Sequence, residues 1–183
     1  MKILSSQNLI GTATARLSIQ SYLPKKIIEG VKTISIKVHT GEDGTFEELL
    51  RLDQKGILRS FPDFQLRQIS RSQLLPGAVK AWHVHFNQED IWYVPPENHM
   101  LLGLWDLRKD SPTSDLKMRI TLGAGNSRLV YIPRGVAHGI LNVNNYTGTI
   151  FYFMNNEFNP DKPDEQRLPW DALGAEFWQP VKG

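Results

Sequence analysis

The sequence predicts an all-β protein, a sandwich or barrel built from short strands. Two observations carry this. After Lys32 the chain divides into short runs that are apolar or alternate apolar and polar residues, and Pro, Gly, Asn and Asp separate them. The 183 residues are 40% apolar and 22% charged, which suits one globular domain with a sizeable core. No internal repeat, low-complexity segment or linker interrupts it.

The elements follow in order. LSIQSYLPKKIIEGVK (Leu17 to Lys32) reads as a short helix or an extended arm, so residues 1–31 form an N-terminal arm. KTISIKVHT (Lys32 to Thr40) alternates with β-branched side chains and reads as one half-buried strand. GEDGT reads as a turn and FEELLRL resumes the strand pattern. FQLRQIS, AVKAWHVHF, IWYV, MLLGLWDL, LKMRITL, RLVYIP, GILNV and TIFYFMN supply the further strands, which places the β-body over residues 32–158. The segment from 159 to 183 contains DEQRLPWDALGAEFWQP. Its two tryptophans predict that it packs back on the body, because exposed aromatic surface is costly in water.

Composition excludes several functions. There is no cysteine, so disulfides, thiolate nucleophiles and cysteine-ligated zinc are ruled out. A net charge of +2 does not argue for nucleic acid or a membrane surface. No apolar run approaches the ~18 residues that span a bilayer. The first residues lack the apolar core of a signal peptide, and the expected location is the cytoplasm.

The chemistry concentrates in WHVHFNQEDIW (Trp82 to Trp92). Residues two apart on a strand face the same side, so His83 and His85 point together. One reading is a metal site, with Glu89 from the following turn and His138 from PRGVAHGILN completing a His83, His85, Glu89, His138 set. GAVKAWHVHFNQE and PRGVAHGILN resemble the two motifs of cupins, although PPEN stands where the first motif should close on Gly. That resemblance implies a double-stranded β-helix, the cupin jelly roll, here with short peripheral helices. The other reading is proton transfer, with His83 as a base.

A second resemblance covers roughly Gly41 to Pro180. GAVKAWH, DLRKDSPT, IPRGVAHGI, TIFYF and LPWDALGAEFWQP, in that order, resemble the dTDP-4-dehydrorhamnose 3,5-epimerase family. The resemblance implies a metal-independent isomerase without a cofactor. It would act on a nucleotide-diphosphate 4-keto-6-deoxy sugar by removing and returning protons at C3 and/or C5. It implies His83 as base, Tyr152 as acid and Asp171 as the carboxylate that orients the base. It further implies substrate contacts from His138, His85 and Lys80, and nucleotide contacts from Gln68, Ser70, Phe46 and Glu48. A homodimer in which N-terminal strands extend the partner's sheet is implied as well. The chain departs from the pattern in three ways. Asp43 stands for an Arg, Lys80 stands for an Arg, and Asp90 falls where the family carries a Lys that stabilises the enolate. A metal-dependent cupin enzyme and a non-catalytic sugar-nucleotide-binding cupin remain the alternatives.

Overall fold

Alternation along the strands sorts side chains onto two faces, and the computed structural model, which describes residues 3–181, stacks those faces as two sheets. Twelve strands are present among the described residues. They are β1 (Lys32–Ser35), β2 (Val38–Gly41), β3 (Gly44–Glu47), β4 (Gln68–Leu74), β5 (Val79–Val84), β6 (Asp90–Tyr93), β7 (His99–Asp106), β8 (Lys117–Gly123), β9 (Arg128–Ile132), β10 (Val136–Asn142), β11 (Gly148–Met154) and β12 (Gln166–Arg167). One sheet has the order β1-β9-β6-β11-β4, the other β12-β5-β10-β7-β8, and every pairing is antiparallel. This is the jelly roll expected from the sequence. Short helical turns lie at Ser6–Asn8, Gly11–Thr14 and Ala175–Trp178.

One local expectation is corrected. KTISIKVHT is not one strand. It breaks at Ile36 and Lys37, so that β1 pairs with β9 while β2 pairs with β3 in a separate hairpin. Alternation fixes which side a residue faces but not which partner it pairs with, and here two partners divide the run. Leu17 to Ile28 carries neither helix nor strand, so of the two alternatives for this segment the helix is absent.

Three apolar layers result. Leu74, Trp92, Val130, Ile132 and Ile150 meet Met100, Leu102, Leu104, Leu122, Val136 and Ile140 between the sheets. Ile91, Tyr93, Leu129 and Phe153 pack outside the first sheet under Leu58, Phe61 and Phe64. Trp82, Val84, Ala137 and Leu141 pack outside the second sheet under Trp178. The tail is seated by Trp178, whose ring lies 4.8 Å from that of Trp82. Arg119 donates to the carbonyls of Phe177 and Gln179, both at 2.8 Å. Gly103 makes room for this tail, since a Cβ there would come within 2.6 Å of the Trp178 ring.

The DLRKDSPT segment is a buried polar hub. Asp106 is fully buried; Arg108 Nε donates to its Oδ1 (2.8 Å), and Arg108 Nη2, Ser111 Oγ and Thr113 Oγ1 donate to its Oδ2 (2.9, 2.6 and 2.7 Å). The same groups hold the end of the arm. Arg108 Nη2 donates to Glu29 O (2.6 Å), and Glu29 N donates to Thr113 Oγ1 (2.8 Å).

Burial alone would push the Asp106 pKa up, but the bonds from Arg108, Ser111 and Thr113 outweigh it and hold the carboxyl below the usual carboxylate range. The folded-state value is therefore below the unfolded one. The ionised group contributes stability above about pH 4 and loses that contribution as pH falls. Asp106→Asn is expected to cost on the order of 3 kcal/mol at pH 7 by leaving Arg108 without its partner. It should also flatten the acid side of the stability profile. Urea unfolding at neutral and acid pH checks this, and an unchanged midpoint at pH 7 would refute it.

Candidate active site

The second sheet brings the histidines together. In the pairing of β5 with β10, His83 lies opposite His138. His138 shares its face of β10 with Val136 and Ile140 of the inter-sheet core, so it points inward. The register of β5 against β10 shifts between His138 and Ile140. Ala81 and Trp82 both join the outer layer, which leaves Lys80, His83 and His85 facing the interior. Gly139 permits the close approach this needs, since a Cβ there would sit 2.3 Å from that of Ala81. The first sheet contributes Ser72 from β4, Asp90 and Trp92 from β6, and Tyr152 and Met154 from β11. Glu165 and Arg167 close the rim. Together these residues enclose a cavity of about 330 Å³. It shares His85, Gln88, Met154 and Glu165 with a second hollow of about 730 Å³ under residues 156–166.

His83 is held on both nitrogens. Arg167 Nη1 donates to Nε2 (2.9 Å), so the ring N–H lies on Nδ1, which faces Glu165 Oε1 at 3.4 Å. Arg167 Nε in turn binds Glu165 at 2.7 Å. Burial first, then the nearby His138, Arg167, His85 and Lys80, lower the His83 pKa to about 3. The imidazole is neutral, with its Nε2 lone pair toward the cavity. His138 stacks on His83 with ring centroids 5.9 Å apart. Its Nδ1–H donates to Val136 O (3.0 Å), and burial lowers its pKa to about 4.

Tyr152 stands in the facing sheet, its ring edge-on to Trp92 at 5.0 Å. Burial pushes its pKa up to about 12, against the pull of the Ser72 hydroxyl. It therefore keeps its proton at neutral pH. Lys80 Nζ donates to the same Ser72 Oγ (2.5 Å). Asp90 is buried beneath the histidines; it accepts from Gln88 Nε2 (2.8 Å) and Trp92 Nε1 (3.1 Å).

The cavity thus gathers His83, His85, His138, Lys80 and Tyr152 from the expected residues. Gln68 and Ser70 line the adjoining hollow, where Gln68 donates to Ser70 Oγ (3.1 Å) and accepts from Phe158 N (2.9 Å). Others lie elsewhere. Phe46 is 66% exposed on the β2–β3 hairpin and Glu48 pairs with Arg51, so neither lines either hollow within this chain. Asp171 is exposed in the tail turn and does not line the cavity. The carboxylate that reaches His83 is Glu165 instead, because the two residues of β12 pair with β5 and set Arg167 opposite His83. The metal set of His83, His85, Glu89 and His138 is not assembled either. Glu89 pairs with Arg134 (2.9 Å) and accepts from Asn155 (3.1 Å), and it does not line the cavity.

Glu165, Arg167, Ser72, Gln88 and Trp92 were not legible as site residues. Glu165 and Arg167 lie in a segment that reads as a loop. Only the two-residue pairing with β5 brings them to the rim, and no periodicity marks so short a strand.

Comparison with known proteins agrees with the geometry. The dTDP-4-dehydrorhamnose 3,5-epimerase family model matches residues 25–180. The spore coat polysaccharide biosynthesis protein SpsL of Bacillus subtilis is 40% identical over 145 residues, which cover 79% of this chain and 91% of that protein. The probable low-salt glycan biosynthesis epimerase Agl13 of Haloferax volcanii is 25% identical over 146 residues, 79% of this chain and 89% of that protein. Among solved structures, a dTDP sugar isomerase from Desulfovibrio desulfuricans G20 superposes with a TM-score of 0.69 at 29% identity, covering 80% of this chain and 88% of that one. A jelly roll with an imidazole and a phenol on facing walls, matched over most of its length, places the chain in the dTDP-4-dehydrorhamnose 3,5-epimerase family of isomerases.

Proposed function

We propose that the protein epimerises a nucleotide-diphosphate 4-keto-6-deoxy sugar at C3 and/or C5, with His83 as base and Tyr152 as acid. One observation carries this reading. The neutral imidazole of His83 and the protonated phenol of Tyr152 come from opposite sheets and face one cavity. A ketone at C4 acidifies the hydrogens on its neighbouring carbons. The His83 Nε2 lone pair takes such a proton, and the bonding pair moves onto the C4 oxygen as an enolate. The Tyr152 hydroxyl then delivers a proton to the opposite face of the carbon, which inverts it.

For this the Arg167 guanidinium must leave Nε2, and it then lies beside the developing oxyanion together with Lys80. Glu165 holds the Nδ1–H, fixes the tautomer and stabilises the imidazolium that forms. Trp92 and Met154 supply apolar wall against the sugar ring. The nucleotide extends into the adjoining hollow past Gln68 and Ser70.

The protein also presents an apolar arm. Ile10 is 74% exposed, Ile19 98%, Tyr22 89% and Leu23 81%, which supports a homodimer that covers them.

Four outcomes are expected. With dTDP-4-keto-6-deoxyglucose in heavy water, the parent protein should incorporate deuterium at C3 or C5, read by NMR. His83→Asn and Tyr152→Phe should each lower product formation by about 10²-fold or more. A Tyr152→Phe variant with parental turnover would eliminate the phenol as acid. Glu165→Gln should lower kcat by roughly 10²-fold with little change in KM, while Asp171→Asn keeps parental turnover. The reverse ranking would return the orienting role to Asp171. Light scattering should give a dimer for the full chain and a monomer after removal of residues 1–24; an unchanged mass would exclude the arm as the dimer contact.

A further inference from the structure

We propose that His85, Asp90 and His138 form a binding site for one first-row divalent transition-metal ion, with an open coordination position toward the cavity. The case rests on where protons can be. A carbonyl oxygen only accepts, so each imidazole nitrogen that faces one carries the ring hydrogen. His138 Nδ1 faces Val136 O at 3.0 Å, and His85 Nδ1 faces Asp164 O. With the hydrogen on Nδ1, Nε2 of each ring is free to present a lone pair. These two lone pairs point at one carboxylate oxygen. Asp90 Oδ2 lies 3.5 Å from His138 Nε2 and 3.8 Å from His85 Nε2.

That oxygen is itself an acceptor, taking the Trp92 indole N–H at 3.1 Å, while Oδ1 takes the Gln88 amide at 2.8 Å. Three electron-rich atoms therefore converge within 4.8 Å of one another, on residues that are 7%, 4% and 2% exposed. His85 Nε2 has only a long contact, 3.4 Å, to the Gln88 amide. His138 Nε2 is buried and has no hydrogen-bond partner among the described residues. A buried lone pair without a partner, aimed at a carboxylate, calls for a cation between them. A proton on His138 Nε2 serves that nitrogen and leaves His85 Nε2 facing the acid with only the long Gln88 contact. A divalent ion serves all three atoms at once.

The surroundings fit that occupant. Ligand bonds of about 2.0–2.1 Å in a tetrahedron put ligand atoms about 3.3 Å apart, so the two imidazole–carboxylate distances of 3.5 and 3.8 Å need to contract by only a few tenths of an ångström. The carbonyls of Val136 and Asp164 hold the outer N–H of each imidazole, and Trp92 holds the carboxylate. This is the supporting shell that orients metal ligands. Two imidazoles and a carboxylate suit Zn²⁺, Fe²⁺, Mn²⁺, Co²⁺ or Ni²⁺. All three residues line the cavity, so the remaining coordination position opens there. The site is not the four-residue set expected from the sequence. His83 is turned to Arg167 and Glu165, and Glu89 is tied to Arg134 and Asn155. The ion would bring positive charge to the place where the family resemblance loses a lysine. That consequence rests on the keto-sugar reading, whereas the binding does not.

The test uses the metal alone. Full-length protein stripped with a chelator is titrated with CoCl₂ while its visible d–d absorption is followed, and ZnCl₂ is then added. One equivalent of Co²⁺ should bind with bands of four- or five-coordinate intensity and be displaced by Zn²⁺. His85→Ala, His138→Ala and Asp90→Asn should each weaken binding on the order of 100-fold or more, with folding checked by circular dichroism. Absence of stoichiometric binding by the parent protein would overturn the proposal without reference to any variant. So would a His83→Ala loss as large as that of His138→Ala, since it would name a different ligand set. No sugar enters the experiment, so a failed substrate assignment leaves its outcome readable.

Discussion

The close approach of β5 to β10 is the contact on which the rest of the site depends. Gly139 lets the two backbones come together where any side chain would strike Ala81. The register shift there turns Ala81 and Trp82 outward together and His83 and His85 inward. Without that shift, strict alternation would put Lys80 and His83 on opposite faces, and one of them would leave the cavity. The outward pair is then used. Trp82 is fully buried beneath Trp105, Phe177 and Trp178, and Leu168 exchanges two backbone hydrogen bonds with it. The same contact therefore seats the tail that carries Glu165 and Arg167 to the rim. Site and cover share one mechanical origin.

The hub at Asp106 works at a distance from this wall. DLRKDSPT is among the most family-specific pieces of the sequence, yet none of its side chains lines the cavity. Its Arg, Ser and Thr satisfy one fully buried carboxylate and clamp Glu29 at the end of the arm. A buried acid with a partner for each lone pair is tolerable, whereas one with a partner missing is costly. That intolerance ties the Arg, Ser and Thr of the segment to the buried acid, although they have no place in the cavity. The segment is a sign of the family through its packing.

The fold was legible because strand alternation and turn residues are local signals, and antiparallel sheets repeat them many times. His83, His138 and Tyr152 were legible as cavity residues because the segments that carry the family resemblance singled them out. The carboxylate behind His83 was not. Asp171 lies in the more conspicuous motif, PWDA, while Glu165 owes its place to the two-residue pairing of β12 with β5. Pairing between distant segments leaves no mark on either one. The same limit applies to KTISIKVHT, where one alternating run serves two partners.

Asp90 shows how a substitution changes meaning in three dimensions. In sequence it reads as the loss of a cation that would hold an enolate. In the fold it is a buried acceptor, fixed by Gln88 and Trp92 and faced by two imidazole lone pairs. Two unit charges about 4 Å apart interact by about 4 kcal/mol at an effective dielectric of about 20. An uncompensated acid in this wall would therefore oppose an enolate by as much as a lysine would favour it. The cations lining the cavity are already engaged, Lys80 by Ser72 and Arg167 by His83 and Glu165. Substrate binding must draw Arg167 from His83, and the Asp90 carboxylate still opposes the enolate unless positive charge enters beside it. The lone pairs of His85 and His138 favour such a charge, because they repel the carboxylate until something positive stands between them.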